Sequence, residues 1–149
     1  MSEEIPLRTI LVPLDGSDFS FKAAKYAIKI AAMSKAELVC VHAIINLPYD
    51  QFAAGGVAVA QYLNESKRLA DTWYERVKTD ASKQGVKATG ETILDVASPA
   101  DSIINYAEKK GVDLIVIGTK GRTGLKRFLL GSVASGVVAH AKCPVLVVR

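Results

Sequence analysis

The sequence predicts an α/β protein, a single doubly wound domain with a five-stranded parallel sheet and helices on both faces. Three observations predict this class. Short β-branched apolar runs alternate along the chain with segments whose apolar residues recur at helical spacing. Most of these runs are continuously apolar, which indicates burial on both faces of a parallel sheet. No repeat, low-complexity tract or linker interrupts the 149 residues, so one domain over residues 1–149 is expected.

Composition excludes several classes of protein. The 19 basic and 15 acidic residues give a net charge of +4. This charge suits an anionic small ligand. The sequence has no dense run of basic residues interleaved with aromatic residues, which would indicate a nucleic-acid surface. No apolar stretch reaches the length of a membrane span, and the acidic N-terminus does not resemble a signal peptide. A cytoplasmic location is therefore expected, with Cys40 and Cys143 as free thiols.

Five apolar runs are predicted to be strands. They are Arg8–Pro13, Ala36–Ile45, Val86–Leu94, Val112–Ile117 and Pro144–Arg149. The third run alternates between apolar and polar residues, which is typical of a half-exposed edge strand. The fourth run is the most strongly apolar and is expected at the centre of the sheet.

Four segments have helical periodicity. They are Phe19–Ser34, Gln61–Gln84, a segment from Pro99 to Lys110, and Val133–Ala141. Ser17 or Asp18 can cap the first helix, Ser98 can cap the third, and Gly85 suits the end of the second. Residues Asn46 to Ala60 show no clean periodicity and contain Pro48, Gly55 and Gly56. They are interpreted as an apolar loop that serves as a lid or a partner surface.

A glycine-rich segment follows the fourth strand, with the spacing Gly118-x2-Gly121-x9-Gly131-Ser132. A strand that leads through glycines to the N-terminus of a helix is the arrangement in which backbone N–H groups and the helix dipole bind phosphate. In doubly wound sheets this loop meets the loop after the first strand, which contains Asp15. Neither GxxxxGK[ST] nor GxGxxG occurs, so a mononucleotide is favoured over a dinucleotide. The glycines alone are equally compatible with tight turns.

The same spacing resembles the ATP-binding signature of the universal stress protein family. The resemblance extends to Ile-Leu-Val-Pro-Leu-Asp-Gly-Ser at residues 10–17, Val-His-Ala at 41–43 and Cys-Pro-Val-Leu-Val-Val at 143–148. It implies a flavodoxin-like sheet in the order 3-2-1-4-5. It also implies a homodimer through the last strand, at Val145–Arg149, which agrees with the exposed apolar edge that this strand would otherwise leave.

The resemblance also implies the residues of an ATP site. Pro13 and Asp15 would lie at the adenosine, with Asp15 accepting a hydrogen bond from a ribose hydroxyl, and Ala43 would pack on the adenine. The phosphates would be held by Gly118, Gly121, Gly131, Ser132 and the Val133 amide, and Leu14, Thr119 and Arg122 complete the expected site. A Mg²⁺ ion could arrive with the triphosphate, held mainly by phosphate oxygens and by Asp15 or Ser132.

The sequence leaves the biochemical role open between three readings. A stress-linked regulatory module that holds ATP is favoured, because no base for activating water is evident beside the loop. A slow ATPase and a nucleotide-free interaction protein of the same family are the alternatives. A phosphoacceptor receiver domain, using Asp15, Asp95 and Thr119, is disfavoured because it needs a second acidic residue after the first strand. His42 and His140 are interpreted as structural residues, with His42 near the ligand.

Overall fold

The computed structural model describes residues 3–46, 56–120 and 130–149. Within these ranges, strands and helices alternate along the chain. The strands are β1 Thr9–Pro13, β2 Glu37–Ile45, β3 Ala88–Val96, β4 Leu114–Gly118 and β5 Val145–Val148. The helices are α1 Asp18–Ser34, α2 Gly56–Ser82, α3 Pro99–Lys110 and α4 Ser132–His140. None of these helices is both long enough and apolar enough to cross a membrane.

The five strands form one parallel sheet in the order β3-β2-β1-β4-β5. The predicted fold class, strand order and edge position of β3 are therefore confirmed. The fourth strand, which was expected to be central, is an interior strand: β4 lies between β1 and β5, and β1 occupies the middle of the sheet. A continuously apolar sequence indicates that a strand is buried on both faces. An interior strand next to the middle strand, such as β4, is buried as fully as the middle strand itself.

The sheet is covered by two helices on each face. Ile10, Val12 and Leu38 point to the face covered by α1 and α2, whereas Leu11 and Val41 point to the face covered by α3 and α4. The buried positions of α1 are mainly small. They are Ser20, Phe21, Ala23, Ala24, Ala27, Ile28 and Ala31. Small side chains let the helix approach the sheet closely, which brings its first turn near the end of β4.

The predicted N-terminal caps of α1 and α3 are confirmed by the structure. Ser17 caps α1, and its hydroxyl oxygen accepts a hydrogen bond from the Ser20 amide at 3.2 Å. Ser98 caps α3 in the same way, accepting from the Asp101 amide at 3.3 Å, and Pro99 stands in the first turn. Gly111 ends α3 with a φ of +63°. These ends were predictable because capping depends on residues adjacent in sequence.

The predicted loop from Asn46 to Ala60 requires a correction. Helix α2 begins at Gly56, five residues before the predicted start at Gln61, and its last residue is Ser82. Gly55 and Gly56 were interpreted as helix breakers, but a glycine at the first position of a helix does not interrupt the hydrogen bonds that follow it. The rest of the predicted lid, residues 47–55, lies outside the described residues.

Cys40 is a buried thiol on β2, only 1% exposed, as expected from its apolar surroundings. Burial raises the pKa of the Cys40 thiol to about 12, against a smaller opposing effect of the Lys78 ammonium group. Burial also raises the pKa of the nearby Tyr74 phenol to about 12. Both groups are therefore neutral in the native protein at pH values where they ionise in the unfolded chain.

We expect the free energy of unfolding to decrease as the pH rises from about 9 to about 12. The pKa values of both groups are higher in the folded state than in the unfolded chain. The stability that the two neutral groups contribute is therefore complete at pH values below their unfolded-state pKa values, and it is lost as the pH rises through their folded-state pKa values. Urea denaturation at pH 8, 9.5 and 11 measures this. In Cys40→Ala the decrease should be shallower, although the variant is less stable at every pH. An identical slope in the two proteins would contradict the role of Cys40.

Candidate functional site

A cavity of about 440 Å³ lies at the carboxyl ends of β1, β2 and β4. Nine of the residues predicted from the sequence line it: Pro13, Leu14, Asp15, Ala43, Gly118, Thr119, Gly131, Ser132 and Val133. The structure thus brings together the loops after the first and fourth strands, as the topology of the sheet requires. Gly121 and Arg122, which were also predicted, lie outside the described residues. The binding roles of all eleven residues remain predictions.

The loop from β1 to α1 is held rigidly on the first side of the cavity. The Leu14 amide donates to the Val41 carbonyl oxygen at 2.7 Å. The Leu14 carbonyl oxygen accepts from Nδ1 of His42, also at 2.7 Å. A carbonyl oxygen can only accept, so Nδ1 of His42 is the donor in this bond. His42 is therefore a residue that positions the loop, in agreement with its predicted structural role.

Asp15 follows Leu14 in the same loop. One oxygen of its carboxylate, Oδ1, accepts a hydrogen bond from the Ser17 amide at 2.9 Å. Gly16 between them has a φ of +82°, a conformation that favours glycine. A carboxylate has about four lone-pair sites, and it accepts several hydrogen bonds at once. The loop therefore fixes an acidic acceptor at the cavity wall.

The opposite side of the cavity is organised around the backbone of Thr119. Its amide donates to the Val148 carbonyl oxygen at 2.9 Å, and its carbonyl oxygen accepts from the Gly131 amide at 2.7 Å. Thr119 thereby joins the end of β4 to both β5 and the start of α4. The Gly131 amide therefore already donates a hydrogen bond within the protein. The predicted role of Gly131 in holding phosphate has to take this bond into account.

Helix α4 begins beside this junction and presents its N-terminus to the cavity. Gly131 is the N-cap residue, and because glycine has no side chain, no side-chain hydrogen bond caps this helix. The first intrahelical bond runs from the Ser135 amide to the Gly131 carbonyl oxygen at 2.9 Å. The amides of Ser132, Val133 and Ala134 precede that bond, and the first amides of a helix have no partner within the helix. All three residues line the cavity, where these donors and the helix dipole favour an anion.

Gly118 has a packing role that the sequence analysis did not anticipate. A Cβ atom at this position would lie 2.8 Å from the Phe19 carbonyl oxygen and 2.9 Å from the Phe19 carbonyl carbon. The backbone of the first turn of α1 therefore packs directly on the end of β4. A glycine here follows from close approach of two backbones, whichever ligand the cavity binds.

Helix α2 contributes a cavity wall that the sequence analysis missed. Tyr62, Ser66, Leu69 and Trp73 line the cavity, and they are spaced by four, three and four residues along one face of the helix. The periodic spacing of this segment predicts a helix but does not indicate which surface each of its faces covers. Periodicity alone cannot distinguish a face that packs on the core from one that lines a cavity.

Among the described residues, few charged or titratable side chains line the cavity. Lys120 lines the cavity beside Thr119, and His42 lies against Trp73 with ring centroids 4.9 Å apart in an edge-to-face arrangement. His140 is exposed at the end of α4, with its Nδ1 3.2 Å from the Gly136 carbonyl oxygen. Across the described ranges, no three His, Cys, Asp or Glu side chains are grouped so that they could hold a metal ion. The arrangement favours binding of an anion by backbone donors.

Fold and cavity together define a doubly wound α/β protein with a ligand site at the carboxyl ends of its strands. Residues 6–149 match the family described as the universal stress protein family. A relative from Methanocaldococcus jannaschii, universal stress protein MJ0531, is 43% identical over 144 residues, which cover 95% of this chain and 82% of the relative. The chain therefore belongs to the universal stress protein family.

Solved structures of this family share the fold. Universal stress protein UspA from Lactobacillus plantarum is 27% identical, with a TM-score of 0.88 over 98% of this chain and 100% of its own. A universal stress protein described in complex with cAMP is also 27% identical, with a TM-score of 0.64 over 97% of this chain and 98% of its own. At least one structural neighbour therefore binds an adenine nucleotide.

Proposed function

We propose that this chain binds an adenine nucleotide, ATP, in the cavity at the carboxyl ends of β1, β2 and β4. The observation that carries the proposal is the arrangement of the cavity walls. Asp15 lies on one side, and the amides of Ser132, Val133 and Ala134 lie on the other. An acidic acceptor suits ribose hydroxyl donors, whereas amides at a helix N-terminus suit phosphate oxygens.

The cavity also has the apolar surface that a base requires. Ala43 follows His42 at the end of β2 and lines the same cavity as Pro13 and Leu14. A nucleotide placed with its phosphates at α4 would direct its base towards these residues. The neighbour that is described with cAMP supports an adenine base, and the choice of a triphosphate is part of the proposal.

We propose that ATP binding serves a stress-linked regulatory role, with slow or absent hydrolysis. Hydrolysis of ATP requires a group that positions the attacking water and charges that stabilise the γ-phosphate. Two titratable side chains at the cavity wall hold the loop after β1: Oδ1 of Asp15 accepts from the Ser17 amide, and Nδ1 of His42 donates to the Leu14 carbonyl oxygen. The proposal assigns both to this positioning role. Mg²⁺ fits the proposal as an ion held mainly by phosphate oxygens, with Asp15 or Ser132 as the protein ligand.

We further propose a cytoplasmic homodimer formed through β5. This strand lies at the edge of the sheet and pairs with β4 on its inner side. Leu146 on β5 and Val138 on α4 are 37% and 45% exposed. An edge strand with exposed apolar residues is suited to pairing with the same strand of a second copy.

Mass spectrometry of the nucleotide released on denaturation, together with calorimetric titration of ATP, tests the proposal. We expect ATP in the released fraction and binding to the nucleotide-free protein. Asp15→Ala should weaken binding about 10- to 100-fold, the range for a hydrogen bond to a charged group. Asp18→Asn is the matched control, since Asp18 is an exposed acidic residue three positions away in the first turn of α1.

Two outcomes would contradict the proposal. If the wild-type protein neither carries nor binds an adenine nucleotide, the binding function is wrong. If it hydrolyses ATP over many turnovers and Asp15→Ala abolishes that hydrolysis, the regulatory role must be replaced by an enzymatic one.

A further inference from the structure

A second concave surface lies between α1 and α2, on the side of these helices that is exposed to solvent. It is an open cleft of about 470 Å³, and no described residue lines both this cleft and the cavity at the carboxyl ends of the strands. It is called the α1–α2 cleft below. The residues that line it are Asp18, Phe21, Lys22, Lys25, Tyr26 and Arg76. The nucleotide proposed above accounts for none of them.

Arg76 is held in a defined position at the α1–α2 cleft. Its guanidinium carbon, Cζ, lies 3.8 Å from the centroid of the Phe21 ring, which is a cation–π contact. Phe21 is 8% exposed and belongs to the core that α1 and α2 form on the sheet. The core therefore supports the guanidinium group from below. The five N–H donors of this group lie in one plane, and they suit the two oxygens of a carboxylate.

The charge of the α1–α2 cleft is positive. Among its described lining residues, Lys22, Lys25 and Arg76 are cations and Asp18 is the one carboxylate. Within the described ranges, none of these three cations forms an ion pair. A concave surface lined by charges of one sign attracts ligands of the opposite sign. The cleft is therefore suited to an anionic group from outside the chain.

Tyr26 adds an aromatic surface beside these charges. Its side chain is 50% exposed. The same exposed face of α1 continues from the cleft to Lys29 and then to Met33, which is 78% exposed. These positions recur at the spacing of one helix face, so lysines alternate along it with aromatic and apolar side chains. A complementary partner has carboxylates with apolar side chains set between them.

We propose that the α1–α2 cleft is a docking site for an acidic peptide segment of a partner protein. Its carboxylates bond Arg76 and the two lysines of the cleft, and an apolar side chain packs on Tyr26. Recognition of acidic motifs by clustered cations is a recurring mode of peptide binding. The proposal does not depend on the nucleotide, since the cleft and the cavity are lined by different residues.

A peptide segment fits this surface better than an anionic lipid membrane does. A flat membrane surface does not enter a concave cleft. The cationic area is also limited, because Asp18 lines the cleft and α2 carries exposed Asp71 and Glu75 within five residues of Arg76. An extended anionic surface would meet these carboxylates, whereas a narrow segment avoids them.

Fluorescence polarisation of a labelled ten-residue peptide, with two phenylalanines set among eight glutamates, tests the proposal. The whole chain should bind this peptide at about 50 mM NaCl and more weakly at about 300 mM, because salt screens exposed charges. Lys22→Gln/Lys25→Gln should weaken binding by about 2- to 30-fold, the range for the loss of two exposed ion pairs. Asp18→Asn removes the carboxylate of the cleft and should strengthen binding.

Lys109→Gln/Lys110→Gln is the matched control, because it removes the same charge from α3, on the opposite face of the sheet. It should bind the peptide as the wild type does. Arg76→Lys keeps the charge but loses the planar group that stacks on Phe21, so it should bind the peptide more weakly. The replaced side chains are all exposed, and circular dichroism establishes that each variant is folded.

Several results would overturn the proposal. Wild-type protein might fail to bind the peptide, or bind equally a version in which glutamine replaces every glutamate. Equal losses in the two double-lysine variants would show that net charge alone attracts the peptide. Sedimentation with vesicles of phosphatidylcholine and phosphatidylserine tests the membrane: binding that Lys22→Gln/Lys25→Gln abolishes, without peptide binding, would make a lipid surface the partner. Titration of ATP into this variant should match the wild type, so failure of the nucleotide proposal is distinguishable from failure of this one.

Discussion

The Gly118→Ala variant is expected to be less stable than the wild-type protein and to bind nucleotide more weakly. The added Cβ would lie 2.8 Å from the Phe19 carbonyl oxygen, closer than a Cβ contact allows. Phe19 belongs to the backbone of α1, which cannot rotate away as the end of a side chain can. Overpacking of this kind costs about 1–3 kcal/mol in free energy of unfolding. The displaced end of β4 would also move Thr119 relative to α4.

Urea denaturation and ATP titration measure the two effects of Gly118→Ala. Gly56→Ala is the matched control, since a Cβ at Gly56 meets nothing within 4 Å in the described part of the chain and the residue stands at the exposed start of α2. The control should be neutral or slightly stabilising, because alanine is the better helix former. Equal stabilities of Gly118→Ala and wild-type protein would show that α1 does not need the close approach.

The Gly16→Ala variant is expected to combine backbone strain with a steric clash. Gly16 has a φ of +82°, and three indole atoms of Trp73 lie 2.5, 2.7 and 3.1 Å from the position of its Cβ. Strain in the left-handed region alone costs about 1–2 kcal/mol. Displacement of Trp73 adds to this cost and disturbs the loop that holds Asp15. We therefore expect a larger loss of stability than strain explains, together with weaker ATP binding.

Gly85→Ala separates the two contributions. Gly85 has a φ of +71°, but a Cβ there would meet no described residue within 4 Å, so this variant introduces strain without a clash. Trp73 is the single tryptophan of the chain, and its fluorescence reports directly on its surroundings. The emission should change in Gly16→Ala and remain that of the wild type in Gly85→Ala. Equal losses of stability in the two variants, with unchanged emission, would contradict the contact between Gly16 and Trp73.

The parts of the structure that depend on neighbouring residues were predictable from the sequence. Ser17 and Ser98 cap their helices, and alternating polarity identified β3 as an edge strand. The two loops that meet at the cavity followed from strand alternation, because parallel strands bring their carboxyl ends to one edge. The strand order itself came from the resemblance to the family, since local pattern does not determine it.

The parts that depend on tertiary contacts were not predictable. Nothing near Gly118 in sequence indicates that Phe19 packs on it, and nothing near Gly16 indicates contact with Trp73. The face of α2 that lines the cavity has the same periodicity as a core stripe, so its orientation towards the cavity required the structure. The glycine spacing predicted an anion site, but it could not show that the Gly131 amide is already bonded to Thr119.

The backbone of Thr119 links the edge strand β5 to the start of α4. Its amide is held by the Val148 carbonyl oxygen in β5, and its carbonyl oxygen holds the amide that precedes α4. A single peptide residue therefore stands between the sheet edge and the anion-facing helix terminus. A partner that paired with β5 and shifted it would displace Thr119 and, with it, the start of α4. If this displacement changed the affinity of the cavity, thermodynamic reciprocity would require an occupied cavity to change that pairing by the same factor.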